Sequence, residues 1–189
     1  ILGSGSGRET AALPSEAARA GHGGILCVRD DIKVDTVEAV PLAVVRRRIS
    51  PREVAAAWRP ALDLVWAFLR ARDGLWAGGH NVFVYRRGPD PGAPLTVDFG
   101  VQVVRSFEGD GTVIAGATPP GRVASTRHVG PVEGLAAAYA ALDGWLIAHD
   151  EVRASVSWET YGDWGPDPAT WEVRVTYLLA DAARPGENP

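Results

Sequence analysis

AVVRRRISPREVAAAWRPALDLVWAFLRA, residues 43–71, decides the fold, because its pattern returns at residues 122–148 as RVASTRHVGPVEGLAAAYAALDGWLIA. In both stretches a β-branched strand runs into a proline, and an amphipathic helix carrying an alanine triplet follows. Pro51 and Pro131 lie eighty positions apart. After each helix comes a short strand ending in tyrosine, NVFVY at 81–85 and SWETY at 157–161. A longer alternating strand closes each unit, LTVDFGVQV at 95–103 and TWEVRVTYLL at 170–179. This order predicts an α+β fold, a tandem pseudo-twofold repeat of two βαββ-type modules. Antiparallel sheets carry the helices on one face, and a central ligand groove lies between the modules. The opposite sheet face is the one expected to line that groove.

Local signals place the elements. Ser50-Pro51-Arg52-Glu53 is a helix start, with Ser50 as cap, Pro51 in the first turn and Glu53 closing a capping box. Val54, Trp58, Ala61, Leu62, Val65, Trp66 and Leu69 then recur at helical spacing. Pro60 removes one backbone donor and predicts a kink there. The second helix presents Leu135, Ala138, Tyr139, Leu142, Trp145 and Leu146. Trp58, Trp66, Tyr139 and Trp145 are read as core on these faces. Residues 1–33 read as a tail, beginning with the flexible run GSGSG at 3–7. The folded domain is expected over 34–180, with repeat one at 34–117 and repeat two at 118–180, and residues 181–189 as a second tail.

Composition narrows the function classes. The 189 residues hold 19 basic and 23 acidic side chains, a formal charge of −4. That balance argues against nucleic-acid binding, which needs a basic face. The one dense basic run, Arg46-Arg47-Arg48, alternates between faces of a strand and reads as a solvated strand edge. Cys27 is the single cysteine, so no internal disulfide forms, and a reducing cytoplasm is the expected location. No apolar run approaches the roughly 20 residues a membrane helix needs. Residues 1–24 lack the order of a signal peptide. The four histidines, at 22, 80, 128 and 149, have no metal-ligand spacing, so no metal or other cofactor is expected. His128 is expected to hydrogen-bond at the strand–helix junction. No dinucleotide or phosphate-binding glycine motif and no serine-hydrolase elbow occurs.

The strand at 156–161 holds the candidate site. Alternation puts Ser157, Glu159 and Tyr161 on one face and Trp158 and Thr160 on the other. Glu159 stands where the first repeat has Phe83, so one carboxylate breaks the symmetry of the cleft. In an aromatic pocket it would attract a cation, or serve as a base. Tyr85, Trp164 and Trp171 are candidate walls of the groove, and His80 lies at its edge.

The stretch at 43–69, the junction TRHVGPVEGL and the ending SWETYGDW…TWEVRVTYLL together resemble the GyrI-like effector-binding domain, over about residues 34–180. The resemblance implies a groove that takes bulky, often cationic, aromatic drugs, in a bacterial and drug-resistance setting. The family's buried glutamate falls on Glu159, within W-E-x-Y. Some stand-alone members are hydrolases that open the cyclopropane ring of DNA-alkylating natural products. By that carry-over Glu159 activates water, and Tyr161 or a groove tryptophan clamps the substrate. A third reading, a protein-interaction module acting on a topoisomerase, follows from the family name. The family junction often carries an aromatic after H-x-G-P, where this chain has Val132. Residues 1–33 are too short and glycine-rich for a helix-turn-helix. The expected partners are therefore lipophilic or aromatic small molecules, with neither nucleic acid nor membrane.

Overall fold

The computed structural model describes residues 32–88, 90 and 93–181. The tails expected at 1–33 and 181–189 lie almost wholly outside these residues, as do Cys27 and His22. Lys33, placed in the tail by the sequence, instead opens the first strand.

Among the described residues eight strands and two α-helices build the fold: β1 (Lys33–Val37), β2 (Pro41–Ile49), α1 (Val54–Arg70), β3 (Asn81–Arg86), β4 (Leu95–Gln102), β5 (Ile114–Ala117), β6 (Gly121–Val129), α2 (Leu135–Ala148), β7 (Arg153–Tyr161) and β8 (Glu172–Leu179). Among the described residues all eight strands form one sheet, in the order β1-β6-β8-β7-β3-β4-β2-β5. Every pairing is antiparallel. The two halves of the sheet meet at β3 and β7, where Phe83 stands directly opposite Glu159. The edge strand β1 crosses to the other half, since it precedes β2 in sequence but pairs with β6, whereas β5 pairs with β2 inside the expected first repeat.

Both helices cover the same sheet face. The Glu53 carboxylate accepts from the Ser50 N–H and hydroxyl, each at 2.8 Å, ahead of α1. α1 continues through Pro60 and buries Ala61, Leu62, Val65, Phe68 and Leu69. These pack on Ala43, Val45, Val97, Phe99 and Val101. α2 buries Ala138, Leu142 and Leu146 against Ala124, Val175, Tyr177 and Leu179. Across the sheet, Val45, Phe99, Phe83, Glu159 and Val175 are neighbours in register and share this face.

The opposite face does not line a groove. It carries an apolar cluster of Leu42, Val44, Val82, Val84, Val123 and Trp158. The sequence expectation fails here for a simple reason. Each helix caps one flank of the sheet, so the central pair β3–β7 is left open on the helix side, and the groove forms there beside α1. Next to the opposite-face cluster lies Asp98, fully buried and held by Arg46 at 2.6 and 2.9 Å and by Arg86 at 2.5 Å. Arg46–Ile49 extends past the end of β5 pairing, so the arginine run does sit on an open strand edge.

Candidate functional site

Beside α1 a cavity of about 930 Å³ opens over β3 and β7, bordered on its other side by Val132 and by Gly162, Asp163, Trp164 and Trp171. Its floor is Phe83 and Tyr85 from β3 with Glu159 and Tyr161 from β7. Period-two alternation puts each pair on one face. Glu159 is 4% exposed. Three tyrosine hydroxyls donate to it. Tyr85 and Tyr161 reach Oε2, and Tyr139 reaches Oε1 from α2, each at 2.6 Å. Tyr161 lies two residues along the same strand. Tyr85 lies opposite Ser157, the diagonal neighbour of Glu159 on the adjoining strand. Among the described residues no Lys, Arg or His lies within ion-pair distance of this carboxylate.

The environment acts on the phenols in one direction. Burial, and then the charge of Glu159, pushes the hydroxyls of Tyr85, Tyr139 and Tyr161 far above the ordinary phenol range. They are fixed as donors at any physiological pH. Three of the roughly four lone-pair sites of the carboxylate are thereby occupied.

Tryptophan supplies the walls. Trp58 and Trp66 of α1 line the cavity with Trp76, Trp164 and Trp171. Trp164 and Trp171 stack face to face, 4.3 Å apart with 5° between their planes, and Tyr161 meets Trp164 edge-on at 5.5 Å. The loop carrying this pair is tied down twice. The Trp171 indole N–H donates to the Gly165 carbonyl, and the Gly130 N–H donates to the Trp171 carbonyl, both at 2.8 Å. Gly130 has φ of 127°, which suits glycine at the turn out of β6. On the far wall Trp66 meets Trp76 edge-on at 5.2 Å.

The residues singled out in the sequence thus gather at one place. Phe83, Tyr85, Glu159, Tyr161, Trp164, Trp171 and His80 all border the cavity. Val132, at the position where the resembled family often has an aromatic, lines it too. His128 lies elsewhere, its Nε2 2.8 Å from the Pro131 carbonyl at the strand–helix junction, as expected. Trp58 and Trp66 are corrected from core to wall, because α1 packs on the flank of the sheet and turns its inner edge toward the gap. Tyr139 is likewise more than filler. A hydroxyl on an otherwise apolar helix face needs a partner, and that was the available signal. Trp76, in the turn after α1, carried no periodic signal at all. Among the described residues no three His, Cys, Asp or Glu side chains are grouped to hold a metal ion. No described helix is long and apolar enough to cross a membrane.

The fold is thus an antiparallel sheet with two helices on one face and an aromatic-walled cavity beside α1. The chain belongs to the GyrI-like family, matching the GyrI-like small molecule binding domain over residues 30–178. No curated protein matches the chain by sequence. Solved structures do match its fold. The EcmrR C-terminal domain is 16% identical with a TM-score of 0.66, over 80% of this chain and 98% of that one. SAV2435 bound to tetraphenylphosphonium is 9% identical with a TM-score of 0.62, over 80% and 94%. A hydrolase from Listeria innocua is 12% identical with a TM-score of 0.52, over 80% and 92%.

Proposed function

We propose that this domain binds flat or bulky lipophilic aromatic cations in the cavity beside α1, with Glu159 as the charge anchor. One observation carries the reading. A carboxylate with 4% exposure lies on the floor of an aromatic-walled cavity, and only hydroxyl groups hold it. Its negative charge has no ion-pair partner among the described residues. A cation entering the cavity would supply one, while the indole and phenol faces attract it further. The relative bound to tetraphenylphosphonium supports this ligand class. The test is titration of the protein with tetraphenylphosphonium, read by tryptophan emission. Saturable quenching is expected, weakened at least about tenfold by Glu159→Gln, since opposite unit charges about 5 Å apart attract by roughly 3 kcal/mol at an effective dielectric constant of about 20. Equal affinity in both proteins would remove Glu159 from the role.

A second reading is hydrolysis of an electrophilic ring with Glu159 activating water. It is favoured by Oε1, which accepts a single hydrogen, from Tyr139, and so keeps a lone pair for a water. Against it stands the engagement of the other lone pairs by fixed phenol donors. Excess cyclopropane-bearing alkylating agent, followed by mass spectrometry, separates the two. Product beyond one equivalent in wild type and none in Glu159→Gln would establish the enzyme.

A further inference from the structure

The cavity has a second polar end. Asn81, Phe83 and Tyr85 alternate onto the cavity face of β3, and Asn81 lies two residues from the position opposite Glu159. Two residues of strand span roughly 7 Å. The Oδ1 atom of Asn81 is buried and has no hydrogen-bond donor. Such orphaned acceptors are uncommon in folded proteins, and each costs stability. Nearby donors are already committed. The Tyr161 hydroxyl, across from Asn81, goes to Glu159, and the His80 N–H goes to Gln102 Oε1 at 3.0 Å. Asp163 borders the cavity, with its carboxylate 3.9 Å from the His80 ring. A turn about its soft terminal torsion is what the Asn81 oxygen would need to meet a ligand in the cavity that Asn81 lines.

We infer that the Asn81 end is a subsite for an N–H donor of the ligand. The preferred ligands are then aromatic cations bearing an amino or amide N–H roughly 7 Å along the strand direction from the centre held by Glu159. This rests on the cation site proposed above, and it narrows that site from any lipophilic cation to a donor-bearing one.

The probes are a phenanthridinium cation carrying exocyclic amino groups and the same ring system without them. Affinities are measured by fluorescence titration for wild type, Asn81→Leu and Asn81→Asp. Wild type is expected to favour the amino-bearing cation by about tenfold, the size of one net hydrogen bond. Asn81→Leu should bring the ratio of the two affinities close to one. Asn81→Asp keeps an acceptor and should preserve or widen the ratio, which a merely structural role for Asn81 would not do. A wild-type ratio near one, or a ratio unmoved in Asn81→Leu, overturns the subsite while leaving the cation site standing. If neither cation binds wild type, the cation site and the subsite both fall.

Discussion

Glu159 and its three phenols form one electrostatic unit. The tyrosine hydroxyls are pushed far above their ordinary value, chiefly by burial and next by the neighbouring carboxylate. A group whose folded value is raised binds its proton more tightly in the folded state. Its contribution is complete below the unfolded phenol value, about 10, and is lost as pH rises above it. Stability should therefore fall above pH 10, by up to about 1.4 kcal/mol per pH unit for each buried tyrosine. Urea midpoints measured from pH 8 to 11 test this. Tyr139→Phe should cost about 1 kcal/mol at pH 8 for the lost hydrogen bond and make the alkaline decline shallower. An unchanged slope would mean that Tyr139 is solvated. Glu159 and Tyr161 were legible in the sequence, because alternation along a single strand is a local property. The pairing of Glu159 with Tyr85 and Tyr139 was not, since it depends on strand register and on where α2 rests.

At the scale of elements, the opposite sheet face is fixed by charge as well as by apolar packing. Burial alone would raise the Asp98 carboxyl, but hydrogen bonds from Arg46 and Arg86 outweigh it and hold the group below the usual carboxylate range. A lowered folded value gives stability that is present above the unfolded value, about 3.9, and lost as pH falls through the folded one. Removing Asp98 releases arginines that are 48% and 32% exposed and can return to water. Asp98→Ala should then cost about 2 kcal/mol, below the roughly 3–5 typical of a broken buried pair. Removing Arg46 and Arg86 together strands the carboxylate and should reach that higher range. Chemical denaturation at pH 7 and pH 3 checks both points, and the Asp98→Ala deficit should narrow at the lower pH. The sequence placed Asp98 on a strand but gave it no partner, because Arg46 and Arg86 lie 52 and 12 residues away.

For the whole molecule, the crossing of β1 ties the two halves of the sheet together. β1 completes the second half of the sheet from the start of the first, and Ile32 packs on the α2 cluster. Deleting the chain through Val37 should uncover the edge of β6 and remove that packing. Lower stability in urea and concentration-dependent light scattering are expected, because an open strand edge templates association. A truncated protein as stable as the full chain, with no added light scattering, would show that β1 is dispensable. The sequence expectation grouped β1 with the first repeat, since it precedes β2. Strand order in a sheet depends on long-range pairing, which composition and periodicity do not encode.

The amino-acid sequence by itself determined the elements, the recurrence of strand, helix and two strands, and several of the residues that border the cavity. Each rests on a local repeat, two residues for a strand and 3.6 for a helix, or on a proline and a cap next to it. The tertiary structure decided which sheet face holds the cavity. It also turned Trp58 and Trp66 from core into wall, and set three hydroxyls around one carboxylate. Those outcomes depend on where two helices settle on a shared sheet, and on contacts between residues 20 and 74 positions apart. Such contacts form only when the whole apolar surface is buried together.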